Sequence, residues 1–210
     1  MASDRSYQIN ASATRTNWSE VPALQVDQYL WLDNGYAPKV EVRAYYTSER
    51  LHVQFQVDEG QPLVRYHQPN DPVYTDSCVE FFVQPLPGSD ARYLNFELNA
   101  AGTLLLQLGE GRDRKYLEDA SPALFEIQTS YAKEDSHPEG GGWELEFSIP
   151  FDWLTELFPD FTASSGQILR GNFYKCGDET ELPHYGSWNK VDSVTPNFHL
   201  SASFGELVLE

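Results

Sequence analysis

The sequence predicts an all-β fold, an antiparallel β-sandwich or jelly roll with one short helix. Three observations point there. Apolar and polar residues alternate in run after run, the period-two signature of half-buried strands. Gly, Pro, Asn and Asp punctuate the runs at short intervals. Only one segment carries a helical period. A chain of 210 residues fits a single domain over 1–210, long enough to bury a sizeable core without disulfide or metal staples.

The runs follow in chain order. Val40, Val42, Ala44 and Tyr46 share one face, with Glu41 and Arg43 on the other. After a short turn, Leu51, Val53, Phe55 and Val57 alternate with His52, Gln54 and Gln56. The two runs read as an antiparallel hairpin with one wet side. Val79, Phe81 and Val83 alternate with Cys78, Glu80 and Phe82. Leu94, Phe96 and Leu98 alternate with Tyr93, Asn95, Glu97 and Asn99, and Leu104, Leu106 and Leu108 follow a turn at Ala101-Gly102. Phe125, Ile127 and Tyr131 form another run, and Trp143, Leu145, Phe147 and Ile149 alternate with Glu144, Glu146 and Ser148. Ile168 to Cys176 and Glu206 to Leu209 complete the set. In PFDWLTELFPDF, Asp152 is placed to cap a helix, with Trp153, Leu154, Leu157 and Phe158 as its apolar side and Pro159 as its stop. The segments 109–120 and GGG at 140–142, with Pro138 before it, read as loops.

Composition narrows the function. The net charge is −18, from 32 acidic and 14 basic residues. Such a surface repels nucleic acid and anionic membranes, and suits neutral ligands. It also offers carboxylates to Ca²⁺. No apolar run approaches the roughly 20 residues that span a bilayer. The start, MASDRSYQIN, lacks a basic head and apolar run; either the protein stays inside the cell or the sequence starts after a removed signal. Cys78 and Cys176 make no disulfide framework; they either pair or both stay free. The five histidines are scattered, without zinc spacing. Aromatic residues make up 14% of the chain, more than a core of this size demands, and exposed rings bind ligands. No G-x-S-x-G, P-loop or G-x-G-x-x-G is present.

One residue breaks the strand pattern. In TDSCVEFFVQP, a glutamate stands inside a run of valine and phenylalanine. Alternation sends Glu80 to the face of Cys78 and Phe82, away from the core face of Val79 and Phe81. Base rates favour open solvent for a carboxylate there. If the strand carrying Asn95, Glu97 and Asn99 lies alongside, Glu80 and Asn99 share one polar surface.

Three stretches carry a resemblance. DPVYTDSCVEFFVQP, YLNFELNAAGT and the C-terminal PNFHLSASFGELVLE resemble, in order and spacing, carbohydrate-binding module family 9. The hairpin ending in LHVQFQV fits that family's opening, and the resemblance runs from about residue 20 onward. It implies a jelly-roll β-sandwich that takes the terminal sugar of a plant-type chain, xylan-like or cellulose-like, between two aromatic rings. It also implies structural calcium away from the sugar, and a secreted or periplasmic setting. By position, Tyr74 is the first ring, Phe198 the second, Glu80 the hydroxyl-binding glutamate and Asn99 a site asparagine. Both rings are tryptophans in the characterised modules, and Glu97 stands where the family carries an arginine. Trp188 is therefore a candidate for part of the platform, and Arg65 or Arg92 for the missing cation.

Each residue also has a structural reading. Tyr74 suits turn packing, Phe198 suits a core, Trp188 is as readily buried as exposed, and Asn99 suits the shaping of its turn. The runner-up functions are a glycoside hydrolase of the endo-1,4-beta-xylanase type, by association with the family, and a haem-binding sandwich. Hydrolysis needs two suitably spaced carboxyls, and the chain has no room for a separate barrel of about 250 residues. A Met/His haem pair is unavailable because Met1 is the sole methionine.

Overall fold

The computed structural model describes residues 5–131 and 141–210. The chain opens on β1 (Ser6–Ala11), then the short β2 (Leu24–Gln25) and β3 (Gln28–Tyr29). The long hairpin is β4 (Lys39–Tyr46) and β5 (Arg50–Asp58). A meander follows: β6 (Cys78–Gln84), β7 (Tyr93–Asn99), β8 (Leu104–Glu110) and β9 (Asp113–Tyr116). Then come β10 (Gln128–Thr129), β11 (Trp143–Pro150), the helix α1 (Phe151–Leu157), β12 (Ile168–Cys176), β13 (Tyr185–Ser187) and β14 (Gly205–Leu209). They form one curled sheet, in the order β10-β11-β5-β4-β1-β14-β12-β6-β7-β8-β9, with β2 on β4 and β13 bridging β12 to β3. No helix among the described residues is long and apolar enough to cross a membrane.

The predicted hairpin and long strands are present at nearly the expected bounds, because alternation over seven or more residues leaves one register that buries all the apolar side chains. The inward sets meet in one core. Phe55 of β5 lies edge-on to Phe173 of β12 at 6.0 Å, Phe96 of β7 stacks on Phe147 of β11 at 5.4 Å, and Phe81 stacks on Phe173 at 4.5 Å. Each fully buried Val, Leu or Phe contributes about 1.5–3 kcal/mol, so this layer dominates the stability. Gly102 makes the β7–β8 turn at φ +80°, where a Cβ would also meet Ile127 at 3.0 Å.

Four expectations are corrected. The sheet is not wholly antiparallel: β1 runs parallel to β14 through Ser6–Ile9 and parallel to β4 through Asn10–Ala11, joining the two halves. Its alternation of Tyr7 and Ile9 was too short to register as a run. Asp152 does not cap α1; Pro150 holds the cap position and Asp152 lies in the first turn, because β11 runs straight into the helix. The run at Phe125–Tyr131 is a 3-10 turn over Pro122–Phe125, with Pro at its start, followed by the two-residue β10. The segment 109–120 is not all loop: β9 returns against β8, a pairing hidden by the polar sequence DRKY. Of the expected loop at 140–142, Gly141 and Gly142 lie outside any strand, just before β11, and residue 140 lies outside the described residues.

Candidate functional site

Every residue of β6 and β7 is buried. Their inward face is the core. Their outward face is covered by segments with no strand period. Leu30, Trp31, Val191, Leu200 and Phe204 pack over Phe82, Tyr93 and Tyr174. Tyr66, Val73 and Tyr185 pack over Cys78, Leu105 and Cys176. Phe198 touches both groups. Where they meet, a cleft of about 370 Å³ opens.

Its floor is two carboxyls. Glu80 and Glu97 are direct partners across β6 and β7, and only 2% and 4% exposed. Glu80 thus takes the outward face that alternation predicts, but that face is covered rather than solvated. Burial, with Cys176 and Glu97 nearby, pushes the Glu80 carboxyl well above the usual range. Burial pushes Glu97 up to about 7, against hydrogen bonding from Asn95 and the charge of Arg114. Asn95 Nδ2 donates to Glu97 Oε1 at 2.8 Å, and the Cys176 thiol donates to Glu80 Oε1 at 3.0 Å. Asp178, beyond the end of β12, lines the same cleft and is raised by burial to about 6.

The walls are aromatic. Tyr74 stands on a 3-10 turn, Val73–Thr75, and is 41% exposed; Tyr116 at the end of β9 is 48% exposed. Phe198 stacks on Tyr174 with centroids 4.0 Å apart, and Tyr185 meets Phe198 edge-on at 6.3 Å. All four named wall rings, Tyr74, Tyr116, Tyr185 and Phe198, border the cleft.

The far end is cationic. Arg114 Nε donates to Gln107 Oε1 at 3.2 Å, and its Nη2 lies 2.8 Å from His199 Nε2. Arg112 Nη2 donates to Asn197 Oδ1 at 3.1 Å. Burial, then Arg114 and Arg112, press the His199 imidazole down to about 3. His199 Nδ1 is 3.1 Å from the Tyr93 hydroxyl, so both ring nitrogens are engaged. His184 is likewise held, by Lys175 and the Leu182 carbonyl. Neither offers a free nitrogen to a haem iron.

Of the eight residues singled out in the sequence, Tyr74, Glu80, Glu97 and Phe198 line the cleft. The other four do not. Trp188 is 3% exposed; its ring packs on Phe173 at 6.0 Å and fills the space a Cβ on Gly205 would occupy. It serves the core, not a platform. Asn99 spends its amide on the Tyr66 carbonyl, Asp76 and the Thr103 N–H, shaping the β7–β8 turn and holding the 66–77 segment. Arg65 pairs with Asp76 at 3.0 Å and Glu179 at 2.7 Å, tying together the segments that carry Tyr74 and Asp178. Arg92 lies at the opposite end of β7, paired with Asp90 and seated over Phe158 at 5.0 Å.

Sequence reasoning missed Tyr116, Tyr185, Arg112, Arg114 and Asp178. Only Asp178 had a signal, the continuation of β12's alternation past Cys176. The calcium implied by the resemblance finds no cluster of three or more carboxylates among the described residues; the one close group of potential metal ligands there is Cys78, Glu80 and Cys176.

The comparisons with known proteins agree with the topology. The family described as "Carbohydrate-binding family 9" matches residues 13–209. A protein of Bacteroides uniformis ATCC 8492, to which carbohydrate binding is provisionally ascribed, is 30% identical over 99% of this chain and 100% of its own, with a TM-score of 0.84. A family 9 carbohydrate-binding module from Caldicellulosiruptor kristjanssonii in complex with glucose has a TM-score of 0.64 at 12% identity, covering 98% and 96% of the two chains. The cellotriose complex of a family 9 module from that organism gives 0.63 at 13%, covering 98% and 94%. At those identities the likeness is one of fold. No curated protein matches the chain.

Proposed function

The chain belongs to carbohydrate-binding family 9, and from that premise we propose that it binds carbohydrate without cleaving it, holding a saccharide over Glu80 and Glu97. The observation that carries this reading is the pairing of buried carboxyls with a wall of rings in one cleft. A sugar ring has an apolar C–H face and a rim of hydroxyls. Aromatic planes cover the first at small entropic cost, since Tyr and Phe have few torsions to freeze. Carboxyls, Gln107 and Arg114 offer acceptors and donors for the second. A hydrogen bond involving a charged partner such as Arg114 contributes about 1.5–3 kcal/mol.

The ligand class proposed is the end of a neutral, xylan-like or cellulose-like chain, in keeping with the sugars bound by the Caldicellulosiruptor modules. The cleft's size fits the lower part of the roughly 300–1,000 Å³ range of small-molecule sites, and so accommodates a chain end rather than a long stretch. The two halves of the curled sheet, facing each other across one core, support the finer reading of a jelly-roll β-sandwich. A hydrolase needs its two carboxyls flanking the scissile bond. Glu80 and Glu97 sit side by side on one floor, which favours holding a sugar over cutting it.

Calorimetric titration with glucose, cello-oligosaccharides and xylo-oligosaccharides, each before and after reduction of its reducing end, tests the proposal. Binding that weakens on reduction is the expected result. Absence of heat with every neutral glycan, or release of reducing sugar from xylan by the pure protein, overturns it.

A further inference from the structure

We infer that Cys78, Cys176 and Glu80 form a site for a thiophilic divalent cation of the zinc class. The site follows from strand geometry. Cys78 and Glu80 are two positions apart on β6 and so share a face, and Cys176 of β12 is the direct cross-strand partner of Cys78. Both sulfurs and a Glu80 carboxylate oxygen lie within 4.8 Å of one another. A tetrahedral zinc with Zn–S of about 2.3 Å and Zn–O of about 2.0–2.2 Å sets its ligand atoms roughly 3.5–3.8 Å apart. Cys176 Sγ and Glu80 Oε1, now 3.0 Å apart, therefore need to open by about 0.5 Å and the other pairs to close by about 1.3 Å at most, which torsional adjustment supplies without moving the strands.

The donor set selects the metal. Two thiolates exclude calcium and magnesium, which take oxygen, and favour zinc and its softer neighbours. The three side chains are almost wholly buried, so the ion would be shielded from bulk water on the protein side. Glu80 and Cys176 also line the cleft, which leaves the fourth position facing it, open to a water, the Asp178 carboxylate or an incoming hydroxyl. A metal would favour the carboxylate form of Glu80. Thiols bind the ion as thiolates, so loading displaces thiol protons and weakens as pH falls. The metal site shares Glu80 and the cleft with the saccharide reading but does not rest on it: cobalt binding is read with no sugar present, and its failure leaves the saccharide titration untouched.

The test uses the full chain, reduced with a non-thiol reductant and stripped of metal, titrated with Co²⁺. The expected result is a thiolate-to-cobalt charge-transfer band in the near ultraviolet that saturates at one equivalent, disappears on adding Zn²⁺, and is accompanied by proton release. Cys176→Ser should cut the band by half or more, and Glu80→Gln should keep it while weakening cobalt affinity at least tenfold. Circular dichroism checks that each variant is folded; if Cys176→Ser is not, the wild-type band and its proton release decide. No charge-transfer band in the reduced wild type, a band unchanged in folded Cys176→Ser, or a Cys78–Cys176 disulfide that resists reduction each overturns the inference.

Discussion

Strands β5 and β7 carry the same alternation and meet opposite circumstances. On β5 the outward His52 and Gln56 stay partly or fully in contact with solvent, and the polar side chains around them form a loose ladder. Arg43 reaches Glu41 at 2.7 Å, and Gln56 reaches Glu144 at 3.0 Å. On β7 the outward Tyr93, Asn95, Glu97 and Asn99 are all buried. Period-two patterning decides which face a side chain takes; it says nothing about what later covers that face. The cover over β6, β7 and β12 comes from segments without a period, around residues 66–77 and 185–204. A carboxylate under such a cover changes its chemistry, and Glu41 and Glu97 show it: one is held low, at about 2, by hydrogen bonds from Lys39 and Arg43, the other is raised to about 7 by burial.

Breaking the buried contacts that join the covered strands to the open half should cost most. Lys175 is fully buried and pairs with Glu59 at 3.2 Å, while Trp143 and Ser77 donate to the same carboxylate. Burial alone would raise the Glu59 carboxyl, but Lys175 beside it, then His184 and these donors, hold it low. Glu59→Gln leaves the ammonium without its counter-charge, and chemical denaturation should show a loss of about 3–5 kcal/mol. Trp188→Ala should cost a similar amount, about 3–5 kcal/mol, while saccharide affinity measured on the folded fraction stays within twofold. A large affinity loss there would return Trp188 to the binding surface.

The cleft's cationic end gives a pH signature of its own, beside that of the lowered His52 and Glu41 on the open half. His199 is depressed from 6.5 to about 3. Above pH 6.5 folded and unfolded chains both hold it neutral. As pH falls from 6.5 toward 3 the unfolded chain takes up a proton that the folded chain refuses, so stability drains away, on the order of 4 kcal/mol by pH 3. Unfolding free energies across that window should show the slope in the wild type and a flatter one in His199→Gln.

Smaller effects sharpen the same contrast. Tyr74→Ala removes a wall ring and should weaken saccharide binding about tenfold, or ~1.4 kcal/mol, with stability unchanged to within roughly 0.5 kcal/mol. On the open half, Glu41→Gln removes ion pairs to Lys39 and Arg43 and should cost no more than about 1 kcal/mol at neutral pH. A Glu41 loss as large as that of Glu59 would erase the distinction between the open and the buried carboxylates.

The long strands were legible because burial demands a single periodicity over many residues, and Glu80 was legible as an anomaly within one. Asn99, Trp188, Arg65 and Arg92 were not separable by sequence, since an amide, an indole or a guanidinium serves a turn, a core or a surface pair as well as a ligand. Only contacts decided among them: Asp76 for Asn99 and Arg65, Gly205 for Trp188, Asp90 for Arg92. Arg114 and Tyr116 escaped notice because β9 is polar throughout and owes its place to pairing with β8.

Strand β1 carries an implication for biogenesis. Ser6 lies against Glu206, almost the whole chain away, and the same short strand then passes to Tyr45 and Tyr46. The seam between the two halves therefore cannot close while the ribosome is still delivering the final strand. Until then the emerging polypeptide presents unpaired edges on both sides of the gap, a state prone to aggregation and slow to resolve because its last contacts span the greatest loop.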